Sequence, residues 1–173
     1  MNINFLLIES SRPQWSETAF ESYKSKFNKS ITISWNGIKP ATRNKNYSVS
    51  EVVQKESALL KKKIKEHDFV VALDKEGINL DTEKLKSNFE NWIASSKDVT
   101  FVIGGPDGLS YELIEESNFC WSLSQLTFPH AVVPILVLEQ IYSAWSMTQK
   151  PPSHREIKVR DIQDLRKEEE ELK

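Results

Sequence analysis

Apolar and polar positions follow two rhythms along this chain, and the rhythm switches repeatedly. A period near two, or a short unbroken apolar run, predicts strands at Ile3–Ile8, Ile31–Trp35, Phe69–Leu73, Val99–Ile103 and Phe119–Ser122. Spacings of three and four predict helices between them. Trp15, Ala19, Phe20, Tyr23 and Phe27 make the first apolar stripe, and Val52, Val53, Leu59, Leu60 and Ile64 the second. Leu85, Phe89, Trp92 and Ile93 form a third, inward-facing stripe, and Val132–Met147 reads as a strongly apolar last helix. Helix starts are marked chemically: Ser48 with Glu51 makes a capping box, and Asp81 and Ser110 stand at N-cap positions. Strands alternating with helices predict an α/β fold with a mostly parallel sheet and helices on both faces.

Between the second strand and second helix, Lys39–Tyr47 is polar and basic, with Lys39, Arg43 and Lys45, and reads as an exposed loop. No internal repeat or second core interrupts the pattern, so residues 1–156 are expected to form a single domain. Beyond Glu156 the character changes. Residues 157–173 are dominated by charge, with Ile162, Leu165 and Leu172 at roughly helical spacing, and predict a solvated helix or frayed extension. A partner-binding or pocket-covering tail is the other reading of this segment.

Composition narrows the class. The chain has 173 residues, 39% hydrophobic and 28% charged, which suits one globular core and argues against disorder. The single Cys120 excludes an internal disulfide, fits a reducing compartment and reads as a small packing residue rather than a catalytic thiol. Ile3–Ile8 is too short for a signal peptide's apolar core and lacks a basic flank, and no run approaches a membrane span of ~20 apolar residues. A cytoplasmic location is therefore expected, with no membrane partner and no metal. The net charge of −2 does not suggest a generic nucleic-acid binder, although Glu168–Glu171 accounts for much of the acidity and an RNA partner stays permitted.

Two segments carry candidate chemistry. Phe101–Ser110 runs from an apolar strand into Gly104-Gly105-Pro106-Asp107-Gly108, and Trp121–His130 runs through Leu123-Ser124-Gln125-Leu126-Thr127-Phe128 into Pro129-His130. Open α/β sheets bind ligands beyond the carboxyl ends of their strands, so two such strand-end loops make a plausible pocket. The glycine loop is not G-x-G-x-x-G and follows the fourth strand, which disfavours a dinucleotide. An adenosine-bearing ligand needs apolar faces for its ring and backbone groups for its edges. Leu73, Leu126 and Phe128 would supply the faces, and the backbone at Gly104 and Leu123–Thr127 the edges.

Gly104–Leu109, Leu123–His130, Glu139–Tyr142 with Ala144-Trp145, and His154-Arg155 together resemble the ribosomal RNA large subunit methyltransferase H family of the SPOUT (α/β-knot) methyltransferases. The resemblance covers about residues 1–156 and is densest from Val70 to Glu156. It implies a deep trefoil knot tied by the two loops, and S-adenosyl-L-methionine held by Leu73, Gly104, Gly105, Leu123, Ser124, Gln125, Leu126, Thr127 and Phe128. It implies methylation of a pseudouridine at ring nitrogen 3 in large-subunit (23S) rRNA, with the assembled ribosome as substrate. His154 and Arg155 would be catalytic, and His130 and Arg155 would contact substrate. His130 has a second reading, in which it only orients its loop through a backbone hydrogen bond. The family works as a homodimer, its last helix and C-terminal residues completing the partner's pocket, and the apolar Val132–Leu138 segment suits such a role. The chain departs from the family at four positions. Glu9 and Ser57 stand where glycine is usual, Ser143 where arginine is usual, and Ser153 where tyrosine is usual. The last two leave open a different RNA target, or a non-catalytic dimer that keeps the cofactor.

Overall fold

In the strand Asn2–Ile8 (β1), Ile3, Phe5 and Leu7 join one apolar cluster, and Leu6 and Ile8 join another on the opposite face. That alternation sets the layering of the whole molecule, because a strand buried on both faces needs helices on both. The computed structural model describes residues 1–149. After β1 come α1 (Gln14–Lys24), β2 (Thr32–Ile38), α2 (Val49–Lys61), β3 (Phe69–Asn79) and α3 (Thr82–Ala94). Then follow β4 (Val99–Ile103), α4 (Tyr111–Glu116), β5 (Phe119–Ser122) and α5 (Val133–Gln149). The strands pair in parallel in the order β2-β1-β4-β3-β5.

Helices α1, α3 and α5 cover one face through Phe20, Leu85, Phe89, Trp92, Val137, Leu138, Ile141 and Ala144. Helices α2 and α4 cover the other through Leu60 and Leu113. The larger cluster is rich in aromatic contacts, with Phe5 stacked on Phe101 at 5.2 Å and Trp92 edge-on to Phe101 at 6.0 Å. Both sides of the expected architecture are present. The expected caps are also made: Ser48 and Glu51 exchange bonds of 3.2 and 2.7 Å, Asp81 accepts from Lys84 N at 2.8 Å, and Ser110 from Leu113 N at 3.2 Å.

Several expectations change. Strand β2 extends through Asn36-Gly37-Ile38, since ladder bonds to Leu6–Ile8 hold a segment whose side chains give no apolar signal. Ile93 is 43% exposed, because Leu85, Phe89 and Trp92 take the inward stripe of α3 and Ile93 falls further round the helix. Trp15, at the first turn of α1, is likewise 55% exposed. Strand β3 does not stop at Leu73. After an excursion through Asp74–Gly77 it resumes pairing, Ile78 with Trp121 and Asn79 with Ser122.

The start of the chain is fastened to the start of β4. Asn2 donates from its backbone N to Asp98 Oδ1 at 2.7 Å and from Nδ2 to Oδ2 at 2.8 Å. Burial pushes the Asp98 carboxyl pKa up, but the two Asn2 bonds, the N-terminal charge and Lys65 outweigh it, and the net shift is downward. A depressed folded-state pKa contributes stability above the unfolded value near ~4, lost as pH falls through the folded value. Asp98→Ala should therefore cost about 1–2 kcal/mol at neutral pH, and less in strong acid, where the parent has also lost this term. Urea unfolding of both proteins at neutral and acid pH checks the sign; a gap that widens in acid would refute it.

Candidate functional site

Three adjacent strands bring one residue each to a common level. Leu73 of β3 pairs with Ile103 of β4 on one side and Trp121 of β5 on the other, and all three side chains face the cavity just beyond. This cavity measures about 350 Å³ and is walled by the loops after the same strands. Its volume lies at the low end of the ~300–1,000 Å³ usual for small-molecule sites. Three roomier depressions lie elsewhere, about 420 Å³ at the opposite ends of the strands among Lys61, Lys65 and Lys97, about 530 Å³ along α1, and about 420 Å³ between Ile78, Phe119 and α3. None combines glycine backbone with the carboxyl ends of adjacent parallel strands, so the smaller cavity is the candidate site.

The glycine loop owes its shape to close backbone approach. Gly108 N donates to Gly105 O at 3.0 Å, closing a tight turn over Pro106-Asp107, and Gly108 has φ +82°, a conformation that favours glycine. A Cβ on Gly104 would lie 2.5 Å from the Gly108 carbonyl carbon and 2.9 Å from Leu109 N, so only glycine lets the chain fold back here. The far end of the loop is pinned from α2, where Ser57 Oγ accepts from the buried Ser110 N at 2.9 Å. The loop 39–47 also reaches in: Arg43 contacts Asp107 at 3.2 Å and the buried Glu56 at 2.9 Å. Hydrogen bonding to Glu56, partly opposed by desolvation, raises the Arg43 pKa above its ordinary value and keeps the side chain charged.

The second loop rests on the Asp74–Gly77 excursion. Gln125 Nε2 donates to Lys75 O at 3.1 Å, and Leu126 N donates to Ser124 Oγ at 3.0 Å. The excursion itself lies tight on β5, since a Cβ on Gly77 would meet Cys120 O at 2.7 Å. Of the expected cofactor residues, Leu73, Gly104, Gly105, Leu123, Ser124, Leu126, Thr127 and Phe128 line the cavity, as does His130. Gln125 instead spends its amide on the neighbouring loop. Leu126, expected as an apolar face, is 72% exposed at the rim. The His130 loop is held by other groups, with Val132 N donating to Pro129 O at 3.0 Å and Ser16 Oγ donating to Ala131 O at 2.7 Å. His154 and Arg155 lie outside the described residues.

Asp74, Lys75, Asp107 and Trp121 also line the cavity and were not singled out for it by their sequence pattern. Asp74 and Asp107 bring carboxylates to a site whose expected ligand carries a positive sulfonium. Burial, then the Asp74 charge, push the Cys120 thiol pKa up, which suits a packing role rather than a nucleophile. Among the described residues no group of three or more His, Cys, Asp or Glu side chains is placed to hold a metal. No helix there is long and apolar enough to cross a membrane.

Three of the four positions at which this chain departs from the family it resembles have partners of their own, and the fourth, Ser153, lies outside the described residues. Glu9 accepts from Arg12 Nη2 at 2.7 Å and Trp35 Nε1 at 3.1 Å, its side chain lying over Gly37. Ser57 holds the glycine loop, as above, and Ser143 donates to Glu139 at 3.1 Å within α5. Taken together, the site can receive a ring with apolar faces and polar edges, flanked by a cationic group.

Known proteins share this arrangement of sequence and fold. Residues 1–154 match the family described as "Predicted SPOUT methyltransferase". Over 156 residues the chain is 35% identical to the ribosomal RNA large subunit methyltransferase H of Hydrogenovibrio crunogenus, covering 90% of this chain and 100% of that one. A probable methylase family protein from Haemophilus influenzae Rd KW20 has a similar fold, with a TM-score of 0.54 at 12% identity over 85% of this chain and 67% of its own. With the family's pattern running through both cavity loops and almost the whole described chain, the protein belongs to the SPOUT methyltransferase family.

Proposed function

We propose that the protein is an S-adenosyl-L-methionine-dependent methyltransferase that modifies ring nitrogen 3 of a pseudouridine in the large-subunit (23S) rRNA of assembled ribosomes. The observation that carries this reading is the cavity at the ends of β3, β4 and β5. Its walls are the two loops that match the family, and it combines apolar surface with close glycine backbone. Likeness to a ribosomal RNA large subunit methyltransferase supports the substrate class. A near-neutral chain has little general grip on RNA phosphates, so an assembled ribosomal surface, recognised by shape, suits it better than free RNA.

The cofactor supplies an electrophilic methyl group on its sulfonium. The protein's task is then to place that methyl in line with the accepting nitrogen, an effect of position rather than of acid strength. Leu73 and Phe128 line the pocket where an adenine ring would sit, and the backbone of Gly104 and of Leu123–Thr127 would meet its edges. Asp74 would favour the positive charge while it lasts, whereas Asp107 is already paired with Arg43. The accepting nitrogen must lose a weakly acidic proton; His154 would take or relay it, and Arg155 would steady the anionic ring. His130, on the cavity wall, would contact the entering nucleotide.

The trefoil knot, a homodimer in the cytoplasm and completion of each pocket by the partner's last helix belong to the same reading. Leu126, exposed at the rim, is the apolar surface that a ligand or partner would cover. Transfer of labelled methyl groups to ribosomes lacking the modification, with free rRNA alongside, tests it. Label mapped to one pseudouridine in ribosomes is expected. Cofactor binding with no label in ribosomes would overturn the substrate assignment and favour another RNA target or a non-catalytic dimer.

A further inference from the structure

Glu56 is a charged residue only 1% exposed, and a carboxylate so placed must be fully paired. It accepts from Arg43 Nη2 at 2.9 Å, Arg43 Nη1 at 3.1 Å and the backbone N of Ala41 at 3.1 Å. The guanidinium does not stop there. Its Nε and Nη2 also donate to Asp107 Oδ2, at 3.3 and 3.2 Å, at the tip of the glycine turn. The loop backbone lies directly on this pair, since a Cβ on Gly105 would sit 2.9 Å from Glu56 Oε1 and 3.3 Å from Arg43 Nη2. Arg43 thus ties the loop 39–47 and helix α2, which follow one another in the chain, to the cofactor-side loop, reached at Asp107, 64 positions on.

A loop with glycines at 104, 105 and 108 has few side chains of its own to order it, and each backbone residue that is ordered loses conformational entropy. Unless that cost is met before ligand arrives, it is subtracted from affinity. Glu56 is the rigid end of the device, fixed in α2 and inaccessible to solvent. Arg43 and Asp107 are the reaching end, with side chains 36% and 32% exposed. We propose that Arg43 is a positioning residue, anchored on Glu56, which holds the glycine loop through Asp107 in the shape needed to bind ligand. The proposal rests on reading the cavity as the cofactor site. Arg43, although exposed, then has its guanidinium engaged, while Lys39 and Lys45 are the other exposed cations of that basic loop.

Amide hydrogen exchange at Gly108 and Ser110, with calorimetry of S-adenosylmethionine binding, tests this on the full chain. Asp107→Ala cuts only the outer bond and leaves the buried pair intact, so it keeps the test valid if Arg43→Ala fails to fold. We expect exchange at both amides to quicken about three- to tenfold, the range spanned by half-exposed ion pairs and charge-assisted hydrogen bonds. Affinity should fall by a similar factor, with the urea midpoint of Asp107→Ala unchanged. Asp107→Glu, which keeps the carboxylate, should restore most of both; a merely structural role in packing would not be rescued in this way. Unchanged exchange in Asp107→Ala overturns the proposal, and so does faster exchange with unchanged affinity. If the parent binds no S-adenosylmethionine while the variants still exchange faster, the cofactor reading fails and the loop-ordering role of Arg43 stands.

Discussion

Replacing Gly104 by alanine should abolish cofactor binding, although the change adds a single methyl group. That carbon would sit 2.5 and 2.6 Å from the carbonyl carbon and oxygen of Gly108 and 2.9 Å from Leu109 N. All three are backbone atoms, so no side-chain rotation relieves the contact and the turn closed by Gly108 N and Gly105 O must open. Overpacking of this kind costs about 1–3 kcal/mol, which the fold can absorb because the strain is confined to one loop. The cavity cannot absorb it, since Gly104 is both part of its wall and the point from which the rest of the loop is aimed. We expect affinity for S-adenosylmethionine to fall at least about a hundredfold by calorimetry, roughly 3 kcal/mol, while the far-ultraviolet spectrum stays that of the parent. Gly105→Ala should be milder, because its Cβ would meet the ends of the Glu56 and Arg43 side chains rather than backbone. Full affinity in Gly104→Ala would move the cofactor to another part of the molecule.

Why glycine is needed at 104 is a tertiary fact, yet its presence in a strand-end loop was visible in the sequence. The same division runs through the protein. Phe69–Leu73 is short and wholly apolar, and Val99–Ile103 is apolar except for Thr100, so local pattern suffices to read them as buried strands. The polar turn Asp74–Gly77 hides the return of β3 to the sheet, because what restores pairing at Ile78 is the β5 ladder and not any periodicity. The order β2-β1-β4-β3-β5 is equally unreadable from rhythm, since side-chain alternation states that a strand is buried but not beside which strand. Glu56 is the clearest case. On α2 it looks like a solvated helix residue, and Arg43, thirteen positions earlier, together with the Ala41 backbone N–H makes burial of its charge tolerable.

The site divides in the same way. Both loops could be named in advance because glycine, proline and the family's pattern mark them. Asp74 and Lys75 could not, since they reach the cavity through the β3 excursion rather than through any motif. Leu126 shows the converse: a residue correctly placed on the wall by its motif is still 72% exposed, because a sequence pattern carries no information about what covers a rim.

Arg155→Ala should lower turnover about a hundred- to a thousandfold, the loss typical when one preorganised donor to a developing anion is removed. A ring nitrogen that still holds its proton has no free lone pair in position for attack, and losing that proton puts negative charge on the ring. The described part of the cavity offers this charge little help, since Asp74 is a carboxylate, Asp107 is paired with Arg43, and a single lysine, Lys75, stands among the lining residues. A guanidinium added from the C-terminal segment would reverse the local sign on the substrate side without touching the adenosine side. Cofactor affinity in Arg155→Ala should therefore stay within about twofold of the parent, so that the loss falls on kcat. Arg155→Lys should recover part of the rate, because it keeps the charge and loses the planar fork. Raising the pH should recover part of the rate in Arg155→Ala as well, since the nitrogen then sheds its proton with less help. If kcat and cofactor affinity fell together, and neither lysine nor alkaline pH restored the rate, Arg155 would be holding the fold of the site and the anion would have to be met by another group.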